Sequence, residues 1–155
     1  MESAPSDIQS FKRTQDYEAV KALAIRAGMD SKEKSTENIV AAFGYYLDGR
    51  LMGSAALEYE DGQHFLEWVA VDSSVRLRGV GASLVALVED EARARGMTEL
   101  WAKARAPEFY TSIGFRVLGE NEKGPKTLDG CIGCPEFNKS CYPAIVVKDI
   151  RGKTC

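Results

Sequence analysis

The stretch Leu66-Glu67-Trp68-Val69-Ala70-Val71-Asp72-Ser73-Ser74-Val75-Arg76-Leu77-Arg78-Gly79-Val80-Gly81-Ala82-Ser83-Leu84 reads as a buried strand, a short turn and a glycine pair opening an amphipathic helix. The first N–H groups of a helix have no partner within it and carry partial positive charge, so a helix start attracts anions. Gly79 and Gly81 lack a Cβ, which lets a phosphate approach the backbone amides closely. Arg76 and Arg78 add positive charge beside them. The loop is suited to a diphosphate. A dinucleotide fingerprint would need a third glycine where Leu84 stands, and a nucleotide P-loop would need a Gly-Lys-Ser/Thr that does not follow. The plain alternative is a helix that merely starts with glycines.

Outward from this stretch the elements fall into an ordered series. Asp7 to Arg13 is a short strand, and Thr14 caps a helix whose Tyr17, Val20, Leu23, Ala24 and Ala27 share a face, with Gly28 as its stop. A polar stretch from Met29 to Asn38 reads as a loop or a short second helix. Three strands follow, Ile39 to Leu47, Arg50 to Tyr59 and Gln63 to Val71, joined by the hairpin signals Asp48-Gly49 and Asp61-Gly62. The helix from Gly79 to Arg95 puts Val80, Leu84, Leu87, Val88 and Ala92 on one side, and Gly96 ends it. Thr98 to Ala104 is a strand, Pro107 to Ile113 a short helix, and Phe115 to Glu120 and Ala144 to Ile150 the last two strands. The order β-α-βββ-α-β-α-β-β predicts one α/β domain with a mixed sheet and helices on both faces.

Two blocks carry a family resemblance. Arg76-x-x-Gly79-x-Gly81, after the strand end Val69-Ala70-Val71, resembles the acetyl-CoA loop of the GNAT superfamily of N-acetyltransferases. Ala106-Pro107-Glu108-Phe109-Tyr110-Thr111-Ser112-Ile113-Gly114-Phe115 is similar to that family's A-x-x-F-Y-x-x-x-G-F element. The resemblance spans roughly residues 7 to 119 and the last strand, and leaves 120 to 142 unexplained. It implies a mostly antiparallel sheet and acetyl-CoA as cosubstrate. It also implies that backbone groups of Val69, Ala70 and Val71 pair with the extended pantetheine arm as a pseudo-strand, and that the amides of Leu77, Arg78, Gly79, Val80, Gly81 and Ala82 hold the pyrophosphate. Some relatives are dimers, so a homodimer is admitted.

Acetyl transfer to an amine requires a held thioester, a polarised carbonyl, a neutral amine and a proton for the departing thiolate. The resemblance assigns that proton to Tyr110, whose phenol is protonated at neutral pH with an ordinary pKa of about 10. The alternative is a tyrosine at the core edge with its hydroxyl in water. Glu67, two residues from Val69 on the same strand face, is the candidate base or ammonium-binding carboxylate. Glu58 on the adjacent strand is a second candidate. His64, the one histidine, follows the Asp61-Gly62 turn and is expected to be solvated.

All four cysteines fall near the end of the chain, as Cys131-x-x-Cys134, Cys141 and Cys155. Pro and Gly make the segment at about 120–143 poor helix or strand, and a loop of that length is usually functional or cross-linked. Cys131, Cys134 and Cys141 have spacing suited to zinc, with Cys155, Asp129, His64 or a substrate group as a fourth ligand. Free thiols, a redox-active disulfide and a soft-metal sensor are the competing readings.

Composition narrows the partners. A chain of 155 residues with 45% hydrophobic and 28% charged residues is that of an ordinary soluble domain. Its net charge of −3 disfavours nucleic acid, and no apolar run is long enough to span a bilayer. The opening Met1 to Asp7 does not resemble a secretory signal, so cytoplasm is the expected compartment. The expected activity is transfer of acetyl from acetyl-CoA to a small-molecule amine such as an amino acid. The alternatives are a protein or peptide amine, or a non-catalytic CoA-binding metal or redox sensor.

Overall fold

The computed structural model describes residues 9–28, 35–76, 79–104, 107–119 and 144–151. In chain order these form β1 (Gln9–Thr14), α1 (Tyr17–Arg26), β2 (Ile39–Leu47), β3 (Arg50–Glu60), β4 (Gln63–Val71), a 3-10 turn (Ser73–Val75), α2 (Val80–Ala94), β5 (Glu99–Ala104), α3 (Pro107–Ser112), β6 (Arg116–Val117) and β7 (Ala144–Asp149). The seven strands lie in the order β1-β2-β3-β4-β5-β7-β6. The pairs β1–β2, β2–β3, β5–β7 and β6–β7 are antiparallel, and β4 meets β5 in parallel at Phe65 and Trp101. The expected mixed, mostly antiparallel α/β sheet is what forms. Among the described residues, no helix is long and apolar enough to cross a membrane.

Both hairpin turns form where the Asp-Gly pairs stand. Asp48 and Gly49 have φ of 51° and 82°, and Asp61 and Gly62 have 51° and 81°. Positive φ at both central residues matches the right-handed twist of the flanking strands, which is why Asp-Gly suits a two-residue turn.

The chain divides into two compact units, Met1–Glu58 with Leu66–Glu91 and Tyr59–Phe65 with Ala92–Cys155. In the first unit, α1 buries Val20, Leu23 and Ala24 against Ile39 and Ala42 of β2, Ala56 of β3, and Trp68 and Ala70 of β4. Tyr17 and Ala27 pack at the margin, so the predicted helix face is the buried one. Its cap differs from expectation. Asp16, not Thr14, accepts the Ala19 N–H at 3.1 Å. Thr14 instead accepts from the Asp16 N–H and from the Tyr46 hydroxyl, because it is the last residue of β1 and its side chain is tied to β2.

Helix α2 lies against the other side of the same strands. A Cβ on Gly53 of β3 would meet Val80 and Leu84 of α2, whereas Ala56 of β3 faces α1. Residues three apart on a strand point to opposite faces, so the two helices cover opposite faces of β3. Val80, Leu84, Val85 and Val88 are buried, as is Glu89.

In the second unit, β5 and β7 pair along their full length, from Glu99 with Asp149 to Ala104 with Ala144. Leu100, Ala102, Ala104, Phe115, Val146, Val147 and Ile150 are among its buried residues, and period-two alternation along β5 supplies three of them. The last turn of α2 closes on Gly96, where the Gly96 N–H donates to Arg93 O and the Met97 N–H to Ala92 O. This is a Schellman stop with glycine at a φ of 83°, as Gly96 predicted. Strand β6 is only two residues long, shorter than the expected run to Glu120.

Candidate active site

Strand β4 is the centre of the site. Leu66, Trp68 and Ala70 are buried while Glu67, Val69 and Val71 are half-buried, so Glu67 and Val69 share the more open face. One residue departs from strand geometry. Trp68 is wholly buried yet has a φ of +59°, a region that bulky residues rarely enter. Counted back from the two-residue turn at Asp61-Gly62, Met52 would face Val71. The Asp72 N–H donates to Met52 O at 2.7 Å instead, so β4 carries one residue more than β3, which is a β-bulge.

Side chains of β3 brace this bulge. The Ser54 hydroxyl donates to the Trp68 carbonyl at 2.7 Å, and the Trp68 indole N–H donates to Glu58 Oε2 at 2.7 Å. Glu58 is buried, with 6% of its surface exposed. The reading of Glu58 as an alternative base is therefore set aside, since its carboxylate is enclosed and holds an indole.

The chain leaves β4 through a turn built by Asp72. Its carboxylate accepts from the Ser74 N–H at 3.0 Å and the Ser74 hydroxyl at 2.8 Å, and Arg26 Nε donates to its other oxygen at 3.2 Å. The Ser74 backbone bond first, then the Ser74 hydroxyl and Arg26, hold the Asp72 carboxyl below its ordinary pKa. Arg26 also donates to Leu51 O, which ties the end of α1 to β3. Arg76 Nε donates to Val71 O at 3.2 Å, so this guanidinium sits at the end of β4.

Gly79 then turns the chain into α2. Its φ is +73°, no heavy atom of the described residues beyond its chain neighbours lies within 4 Å of where its Cβ would be, and its carbonyl accepts a helical bond from the Ser83 N–H at 3.1 Å. Gly79 is thus the N-cap, and Val80, Gly81 and Ala82 are the residues whose N–H groups find no acceptor in the helix. Leu77 and Arg78 lie outside the described residues.

Tyr110 stands on α3 in the second unit. Its ring meets Phe109 edge-on at 5.1 Å and Phe115 at 5.5 Å, and its carbonyl accepts from the Phe115 N–H. Lys148 of β7 donates to Ile113 O at 2.9 Å and so fastens the end of α3. Tyr110 is half-buried. In the same unit His64 is buried rather than solvated, with its ring edge against Tyr59 at 4.8 Å. Its Nδ1 has no hydrogen-bond partner among the described residues. Burial first, and the Arg95 charge second, push its pKa below the ordinary histidine value.

No group of three or more His, Cys, Asp or Glu side chains is gathered for a metal among the described residues. Cys131, Cys134 and Cys141 lie outside them. Sequence reasoning missed the Trp68 bulge and its Ser54 and Glu58 braces. A tryptophan in a buried strand carries no mark of its φ, and the one-residue slip depends on pairing that only the structure reveals.

The profile of the Acetyltransferase (GNAT) family matches residues 8–115. No curated protein is a significant sequence match. Among solved structures, N-acetylglutamate synthase from Neisseria gonorrhoeae, complexed with coenzyme A and N-acetyl-glutamate, has a TM-score of 0.74 at 21% identity over 96% of this chain and 37% of that one. The present chain thus spans little more than a third of that protein. The ribosomal-protein-S18-alanine N-acetyltransferase from Escherichia coli gives 0.66 at 18% identity, over 95% of this chain and 97% of that one. An aminoglycoside 6'-N-acetyltransferase complexed with coenzyme A gives 0.69 at 15%, over 94% and 99%. At such identities the structures share a fold, while the family match covers well over half of the chain. The chain belongs to the GNAT family of acetyltransferases.

Proposed function

We propose that this protein transfers the acetyl group of acetyl-CoA to the primary amine of a small molecule such as an amino acid. One observation carries the reading. The end of β4, the Arg76 guanidinium and the open N-terminus of α2 at Gly79 follow one another within a single unit, as a pantetheine arm and its diphosphate would require. The backbone of Val69, Ala70 and Val71 would pair with the arm. The amides from Leu77 to Ala82 would take the pyrophosphate, with Arg76 and Arg78 supplying charge. Coenzyme A in two of the similar structures supports the cosubstrate.

Tyr110 is proposed to protonate the leaving thiolate, and Glu67 to bind or deprotonate the acceptor ammonium. Both rest on family position and exposure. The similar structures are named for acetylating glutamate, a protein alanine and an aminoglycoside, so the fold does not choose the acceptor. A small amine is preferred because the sequence, with its net charge of −3, suggests no basic groove for a macromolecule. Residues 120–143 would shape that choice within one cytoplasmic catalytic domain, and zinc at Cys131, Cys134 and Cys141 rests on spacing alone.

The test is mass spectrometry of a pool of amino acids, polyamines and short peptides incubated with acetyl-CoA. An acetylated product that forms about 10²-fold more slowly with Tyr110→Phe supports the assignment. Acetyl-CoA binding with no product from any amine would overturn it in favour of a CoA-binding sensor.

A further inference from the structure

The geometry points to Ser54 and Glu58 as positioning residues that hold the Trp68 peptide in its left-handed turn and thereby aim the Val69 N–H. This rests on the reading that the end of β4 receives the acetyl-pantetheine arm.

Two buried side chains of β3 converge on one buried residue of β4. Trp68 is 0% exposed, Ser54 0% and Glu58 6%. The Ser54 hydroxyl grips the Trp68 carbonyl and Glu58 grips the Trp68 indole, each at 2.7 Å. The carbonyl of Trp68 and the N–H of Val69 belong to the same planar trans peptide, so they point in opposite directions. A hydroxyl on β3 that draws the Trp68 oxygen toward β3 therefore turns the Val69 N–H away from β3, to the other edge of β4. That is where an added pseudo-strand or a thioester carbonyl would need a donor.

A left-handed bulky residue persists only when its surroundings over-determine it. Here the surroundings act at two points. Ser54 sets the peptide plane, and Glu58, with the packing of the indole among Val20, Leu23, Ala24 and Ile39, sets the side chain. Without the hydroxyl, the carbonyl loses its buried donor and the peptide is free to rotate toward ordinary strand geometry. Without the carboxylate, the indole N–H loses this acceptor inside an apolar cluster. Neither side chain touches the reacting atoms in this account, because each acts through Trp68.

The experiment compares wild-type protein with Ser54→Ala, Trp68→Phe, Glu58→Leu and Glu58→Gln. Acetyl-CoA labelled with carbon-13 at the thioester carbonyl serves as a spectroscopic probe, and acetylation of the amine pool as a kinetic one. Wild type should shift the bound carbonyl resonance downfield of free acetyl-CoA. Ser54→Ala, Trp68→Phe and Glu58→Leu should bring it back toward the free position. The same three should slow transfer by about ten- to a hundredfold, mostly in kcat, with a nearly unchanged KM for acetyl-CoA. Glu58→Gln keeps an oxygen acceptor for the indole, so it should recover most of the Glu58→Leu loss. A base would not be rescued this way.

Folded variants that bind acetyl-CoA with the wild-type carbonyl shift and turnover would overturn the inference. If Glu58→Leu does not fold, Ser54→Ala, which removes one oxygen atom, decides the matter. Wild-type protein that binds no acetyl-CoA overturns the cosubstrate reading itself, and this inference with it.

Discussion

Gly53 tests whether the start of α2 is as tightly seated as its neighbours suggest. A Cβ at this position would lie 2.9 Å from Val80 Cγ1, 3.1 Å from Leu84 Cδ1 and 3.4 Å from Tyr45 Cβ. The first two contacts are closer than packed carbons tolerate, and both belong to the first turn and a half of the proposed phosphate-binding helix. Gly53→Ala therefore overpacks the site, at about 1–3 kcal/mol. The smaller conformational freedom of alanine in the unfolded chain offsets about 0.4–1 kcal/mol of that. The net expectation is a loss of about 1 kcal/mol, or about 2–4 °C in thermal midpoint. Since relief comes from pushing Val80 outward, coenzyme A should bind about two- to fivefold more weakly. Urea unfolding and calorimetric titration with coenzyme A read the two effects. Val80→Ala removes the methyl that clashes, so the double variant should lose less than the sum of the two singles, with a coupling of about 0.5–1 kcal/mol. A Gly53→Ala protein that is more stable than wild type, binds coenzyme A equally well and shows no coupling to Val80 would refute the reasoning.

Two further outcomes follow from individual residues. Gly79→Ala meets no neighbour but forces a side chain onto a φ of +73°, so it should cost about 1–2 kcal/mol and weaken coenzyme A binding; Gly79→Asn, which tolerates that region better, should recover part of both in the same assays. His64 has a folded pKa below its ordinary value, so the unfolded chain takes up the proton first as pH falls. Its stabilising contribution should be complete above pH about 6.5 and be lost as pH drops toward the folded pKa. Thermal midpoints between pH 5.5 and about 7.5 should show this slope in wild type and a flatter one in His64→Gln. An equal slope in both would contradict the burial of this ring.

How much of this was legible beforehand varies with the distance over which each feature is decided. The Asp-Gly turns, the Gly96 stop and the buried face of α1 are local matters of backbone freedom and periodicity, and they stand where expected. On α2, Val80, Leu84, Val88 and Ala92 are buried as expected, while Leu87 is half-buried and Val85 and Glu89 are buried in addition. The helix cap moved from Thr14 to Asp16 because β1 runs on through Thr14 and Tyr46 claims its hydroxyl, a contact 32 residues away. His64 was expected in water because it follows a turn, yet Tyr59 across that turn covers it. The bulge at Trp68 was invisible for the same reason: its register slip and its braces come from β3. The Gly79-x-Gly81 loop was readable because a cap and its free amides are properties of one short segment.

The sheet order has a consequence for how the protein is made. Strand β7 is the last described strand in the chain, yet it lies between β5 and β6 and pairs with both. It also carries Lys148, which fastens the end of the Tyr110 helix, and the Ile145 carbonyl that accepts from Leu118. A nascent chain that has emerged only through β6 therefore has one edge of β5 open and no strand for β6 to join. Open strand edges are the usual route to wrong pairing between chains. The proposed proton donor is thus not fixed until β7 has been made, and chains that stop short of β7 would be the species that chaperones must shield.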